Sequence, residues 1–103
     1  MKFDGFYWDE GNYGHCQKHG LTIPEIEAAL NSGAMLIVPD PKHSDLEQRQ
    51  IAAGTLPNGT RILVAFTLRE RDGKTLVRPI SARRMHEKES KKYEQITSPS
   101  KDR

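Results

Sequence analysis

Residues 61–84, RILVAFTLRERDGKTLVRPISARR, decide the fold of this chain. Ile62, Val64, Phe66 and Leu68 alternate with Arg61, Ala65 and Arg69, the period of a strand with one buried face. Asp72-Gly73 is a tight-turn dipeptide that tolerates positive φ, so the chain reverses there. TLVRPISARR then returns as the second arm of an antiparallel hairpin. Strict alternation on that arm puts Arg78, Ile80, Ala82 and Arg84 on one face, with Ser81 and Arg83 on the other. Pro79 has no backbone N–H to give, so the arm is either an edge strand or bulged at that point.

Working outward, HEKESKKYEQI reads as a closing helix and TSPSKDR (97–103) as a disordered tail. Met85, Glu89, Tyr93 and Ile96 fall on one stripe of that helix, which turns Glu89 and the Tyr93 ring toward the protein. A carboxylate on a packing face needs a cation, and Arg83 or Arg78 is placed to supply it. Upstream, FDGFYW (3–8) reads as a short aromatic strand, and GNYGHCQKHG as a short helix with Asn12 as N-cap and Gly20 as its stop. In LTIPEIEAALNSG, Thr22 and Glu25 form a capping-box pattern and Pro24 suits the first turn. Gly33 stops the helix, and Ile23, Ile26, Ala29 and Leu30 share its apolar face. AMLIVPD and RQIAAGTL are two further strands joined by the polar PKHSDLEQRQ, and Asn58-Gly59 is a second hairpin signal. The expected architecture is α+β. An antiparallel, curved sheet of about four to five strands carries N-terminal helices and a C-terminal helix, in one domain over residues 1–96.

Charged residues form 29% of the chain and hydrophobic residues 35%, so the core must be thin. No apolar run approaches the 18 residues of a membrane span, and the start MKFDGFYWDE lacks a basic-then-apolar leader. The single Cys16 excludes an internal disulfide, and a reducing cytoplasm is the simplest location. The net charge of +2 is unevenly spread: residues 1–40 carry −4 and residues 41–103 carry +6. Such a basic second half suits a phosphate-bearing partner.

Four groups of residues could carry chemistry. His15 and His19 lie one helical turn apart, beside Cys16. Zinc would need a third or fourth converging ligand, so the expectation is no metal and no cofactor. His19 could instead transfer protons, with Lys18 beside it, or merely close the helix end. Ser44 and Glu47 form a capping pattern, and Glu47 with Arg49 could equally stand at a strand mouth as an acid–base group and a phosphate clamp. Arg61, Arg78, Arg83 and Arg84 could converge on phosphate with the bidentate geometry that lysine lacks, or be solvated and paired with Glu70, Asp72 or Glu47. Glu89 could hold one arginine in place while the others stay free.

Taken in order, WDEGNYGHCQKHGL, PDPKHSDLEQRQIAAG and RPISARRMHEKESKKYE resemble the BrnT family of toxins. The resemblance rests on Trp8-Asp9-Glu10, Lys18-His19-Gly20, and His43-Ser44 with Glu47 and Arg49. It continues through Gly54, Ile80-Ser81-Ala82-Arg83, Glu89 and Tyr93. It implies a RelE-like fold and a ribonuclease that arrests translation without metal. The implied partners are RNA, a small BrnA-like antitoxin folded over the toxin and, only through the toxin–antitoxin complex, promoter DNA; no membrane is involved. Arg78, Arg83 and Arg49 would then stabilise charge at the reacting phosphate, and His19 would carry protons with Lys18 or Glu47 in reserve. Arg61 and Arg84 would hold the backbone, Trp8 or Tyr7 would stack an unpaired base, and Ser81, Glu89 and Tyr93 would support the site. His15 stands where many members carry asparagine. Two other functions compete: an RNA- or partner-binding module of this fold without turnover, and a zinc-bound structural protein.

Overall fold

The computed structural model describes residues 2–43 and 48–97. The elements follow the order β1 (Gly5–Phe6), α1 (Tyr13–Gln17), α2 (Ile23–Asn31) and β2 (Leu36–Pro39). A 3-10 turn at Pro41–His43 leads to β3 (Gln50–Thr55), β4 (Arg61–Arg71), β5 (Lys74–Arg84) and α3 (Glu87–Thr97). The architecture is α+β, as expected. Five strands form one curved, open sheet in the order β1-β5-β4-β3-β2, antiparallel except for β1, which pairs parallel to β5.

Local chemistry sets most of these boundaries. Thr22 and Glu25 complete the capping box in both directions, Pro24 lies in the first turn of α2, and Gly33 follows the helix at φ 72°. Asp72 and Gly73 both adopt positive φ, 51° and 77°, between the paired Arg71 and Lys74, as a two-residue hairpin requires. Asn58-Gly59 turns the chain differently. The Leu56 amide donates to the Thr60 carbonyl, leaving a three-residue loop, Pro57–Gly59, between β3 and β4.

Ile26, Ala29 and Leu30 of α2 and Cys16 of α1 pack on Ala52, Ile62, Val64, Phe66, Val77 and Ala82 of the sheet. The alternating stripe of β4 is buried from Ile62 through Phe66 and then emerges, with Leu68 37% exposed. Gly54 is needed for close approach, since a Cβ there would run into the Met35 sulfur.

Two sequence expectations are corrected. Phe66 opposes Pro79 and Ala65 opposes Ser81, so Ile80 is an extra residue in β5 and the strand is bulged rather than an edge. Directly opposed residues share a face. The pairs Leu63–Arg83, Ala65–Ser81 and Thr67–Arg78 therefore lie on one face, and Ile62–Arg84, Val64–Ala82 and Phe66–Pro79 on the other. Arg78 thus joins Ser81 and Arg83, not Ala82 and Arg84. The closing helix is also shifted. Met85 precedes α3, Ile96 is 56% exposed, and α3 buries none of its residues, so polar links rather than an apolar stripe hold it. The proposed tail beyond Thr97 lies outside the described residues.

Candidate nucleic-acid interface

Because β4 alternates without interruption, Arg61, Arg69 and Arg71 share the face of Arg78 and Arg83. These five guanidiniums are distributed over an eleven-residue strand pair, roughly 30 Å at the usual strand rise. A single phosphate is far smaller than that; an extended polyanion matches it.

Arg83 has the strongest partner. Its two terminal nitrogens donate to the two oxygens of Glu89 at 2.8 and 2.9 Å, and the His86 amide donates to the same carboxylate at 2.8 Å. Glu89 therefore does two things, closing the first turn of α3 and fixing Arg83. The Arg83 hydrogen bonds, aided by the His86 amide and outweighing partial desolvation, lower the Glu89 pKa from 4.5 to about 2. The same pair raises that of Arg83. Arg83 was one of two partners expected for Glu89, and it is the one found.

A pH dependence follows. The folded-state pKa lies below the unfolded one, so the pair stabilises fully above about 4.5 and loses its effect as pH falls toward 2. Both side chains are 36% exposed, which limits the contribution to about 1 kcal/mol. Urea unfolding of Glu89→Gln should show a deficit of that size at pH 7, shrinking steadily between pH 4.5 and 2.5.

Arg61 is held by the next turns of α3. It donates to the Ser90 hydroxyl at 2.8 Å and to Glu94 at 3.4 Å, with its guanidinium 5.7 Å from the Tyr93 ring centroid. The Tyr93 ring thus faces the sheet side of α3 and lies against an arginine.

Arg78 donates to Asp9 at 3.0 Å. Desolvation pushes the Asp9 carboxyl up, but Arg78 and the Gly11 amide more than reverse it and the net shift is downward. Across the ladder, the Thr67 hydroxyl and the Arg78 Nε are both buried without a hydrogen-bond partner among the described residues. Tyr7 lies against Arg69 and Arg71, 5.6 and 5.0 Å from its ring centroid, and its hydroxyl accepts from Arg71 at 3.0 Å. Arg71 escaped the sequence reading, although continuing the alternation past Phe66 would have found it.

Other candidates lie elsewhere. Arg84 donates to the carbonyl of His19 at 3.2 Å, tying the end of α1 to the end of β5 and keeping Lys18 and His19 exposed beside it. Arg83 donates in turn to the Arg84 carbonyl at 3.1 Å. Arg49 is half-buried beside β2, where its carbonyl accepts from Asp40. Ser44 and Glu47 lie outside the described residues. Cys16 is buried in the core, where desolvation raises its thiol pKa to about 11, whereas His15 and His19 face solvent. The three do not gather, and among the described residues no group of three His, Cys, Asp or Glu side chains could hold a metal.

Sequence reasoning found only part of the role of Asn12, which is the N-cap residue of α1 as expected. It is fully buried and makes no side-chain cap. Its amide nitrogen donates to the carbonyls of Tyr7 (2.9 Å) and Pro79 (2.8 Å), and its oxygen accepts from the Asp9 amide at 2.7 Å. It thereby clasps the loop after β1 to the bulge and sets Asp9 against Arg78. Trp8 also lies in unexpected company, donating from its indole to Glu27 at 2.8 Å, with Asp9 and Glu10 beside it.

No individual characterised protein matches the chain significantly. The family model for the BrnT ribonuclease toxin of type II toxin–antitoxin systems matches residues 8–89, most of the chain and every element from α1 through β5. With that match and an arginine-lined sheet face of this kind, the chain belongs to the BrnT family of ribonuclease toxins.

Proposed function

We propose that this protein is an endoribonuclease toxin that cuts RNA without a metal, arrests translation in the cytoplasm and is neutralised by an antitoxin protein. The observation that carries this reading is the bulge at Ile80, which adds Arg78 to the sheet face that bears Arg83, Arg61, Arg69 and Arg71. In metal-independent cleavage the RNA 2′-hydroxyl loses its proton and attacks the adjacent phosphorus. The 5′-oxygen leaves with a proton, and a cyclic phosphate remains. Arg83 and Arg78 suit the developing negative charge, because guanidiniums held rigidly by Glu89 and Asp9 need little reorganisation as that charge forms. Ser81 lies between them on the same face. RNA phosphate must compete with Glu89 for Arg83 or bridge to its remaining edge. Arg61, Arg69 and Arg71 extend the track for the strand, and Tyr7 offers a ring beside it.

His19 is the proton carrier in this reading, with Lys18 adjacent; the Arg84 link places both at the end of β5. Arg84 serves that placement, Arg49 stands at the start of β3, and Glu47 remains a reserve acid–base group. Partnership with an antitoxin, and promoter binding by their complex, follow from the family's place in type II systems.

The test is cleavage of labelled RNA by purified protein, together with growth arrest on induction. Arg83→Ala should lower cleavage roughly 10²–10³-fold, as loss of one charge-stabilising donor does elsewhere. His19→Ala should lose turnover while keeping RNA affinity. A folded wild-type protein that binds RNA yet neither cuts it nor arrests growth would leave only the binding-module function.

A further inference from the structure

On the negatively charged first part of the chain, Trp8, Asp9, Glu10, Tyr13 and Gly14 line an open cleft of about 460 Å³. Trp8 and Tyr13 meet edge to face, with centroids 6.3 Å apart at 85°, and Tyr13 is 55% exposed. The bond from the Trp8 indole to Glu27 fixes the larger ring, which is half-buried. At Gly14 a Cβ would meet nothing within 4 Å, so the cleft is open on that side. Glu10 is exposed and has no ion-pair partner among the described residues, and Asp9 is held ionised by Arg78.

The cleft therefore combines two aromatic rings with two carboxylates, those of Asp9 and Glu10, and a third, that of Glu27, accepts from the indole N–H of Trp8. Aromatic faces attract cations, tryptophan most strongly, and a neighbouring carboxylate adds to that attraction. The same carboxylates repel phosphate, which sets this cleft apart from the arginine face. Arginine fits better than lysine, because a planar guanidinium can stack on a ring while its edge donates to a carboxylate.

We propose that the Trp8–Tyr13 cleft is a docking site for an arginine side chain presented by a protein partner. Charge complementarity decides the occupant: the exposed Tyr13 ring and the exposed Glu10 lie beside Trp8 and Asp9 on the −4 part of the chain, where a nucleic acid is disfavoured. The site does not depend on ribonuclease activity.

Trp8 is the sole tryptophan, so its fluorescence reports directly on occupancy. The full chain would be titrated with a capped peptide carrying two arginines among glycines, with its citrulline counterpart, and with a single-stranded oligonucleotide. The arginine peptide should change Trp8 emission saturably, while the neutral citrulline peptide leaves it unchanged. Tyr13→Ala and Glu10→Gln, both at exposed positions, should each weaken the arginine peptide roughly 2- to 5-fold, with circular dichroism confirming their fold. An equal response to citrulline, or no saturable response to arginine, overturns the proposal. So does an oligonucleotide response that Glu10→Gln strengthens, which would make the cleft part of the RNA path. RNA cleavage by the same variants should stay at the wild-type level, so the cleft and the ribonuclease reading can fail separately.

Discussion

Phe66→Ala should cost about 3–5 kcal/mol, a large share of the stability of a domain this size. Phe66 is fully buried at the centre of β4, between Val64 and Leu68 on the same stripe and opposite Pro79, where the strand pair is bulged. It is the largest of the fully buried side chains. Truncation removes the ring's transfer free energy and leaves a cavity in the core that the sheet shares with α1 and α2. A loss of that size lowers the melting temperature by roughly 15 °C or more in a domain near 100 residues. Thermal unfolding followed by circular dichroism would measure it. A change below about 1 kcal/mol would mean that the ring is not the keystone of this core.

Asn12→Ala should come next, at about 2–4 kcal/mol, and through different physics. The side chain contributes little apolar area. Its loss strands the carbonyls of Tyr7 and Pro79 and the amide of Asp9, each of which now has a partner at 2.7–2.9 Å. Leaving a buried polar group unpaired costs about 1–3 kcal/mol, and the three are too close together to add in full. Asn12→Asp separates shape from hydrogen bonding. It keeps the volume but turns acceptor oxygens toward two carbonyls, so it should destabilise at least as much at pH 7. Both variants should also reduce RNA cleavage beyond the loss of folded protein, because Asp9 no longer holds Arg78. Cleavage per folded molecule equal to wild type would confine Asn12 to a purely structural role.

These two residues differ in how far they could be read in advance. Phe66 announced itself through alternation, since apolar residues at period two need no knowledge of the rest of the chain. Thr22 and Glu25 did the same three residues apart, and Asp72-Gly73 within a single turn. The Glu89–Arg83 pair was also within reach, because both groups lie on adjoining elements separated by a tight corner. Local spacing placed Asn12 at the N-cap of α1, where it is, but could not show that its side chain is used elsewhere. Its actual partner at Pro79 is 67 residues away, and no local pattern carries that information.

Trp8 gives a similar lesson. It suggested base stacking because every base offers a π-face to an aromatic ring. Folding sets it against Glu27, with Glu10 and Asp9 alongside, company that its place in the sequence does not reveal. His15 and His19 are spaced one helical turn apart beside Cys16, which left their role open; α1 turns Cys16 inward, and both histidines face solvent.

By itself, then, the sequence determined the class of fold, the stripe that builds its core, the caps of α2 and the set of motifs that place it in the BrnT family. All of these depend on nearest neighbours or on a fixed period. Tertiary structure alone decided which arginines share a face of the sheet. One additional residue at Ile80 reverses the face of every side chain on one side of it, moving Arg78 from the side of Ala82 to that of Ser81 and Arg83. Pro79 hinted at an irregularity, but whether the strand would be an edge or carry a bulge depended on β1 pairing along it and on Asn12 clasping the Pro79 carbonyl. Those contacts exist only once the ends of the chain have met.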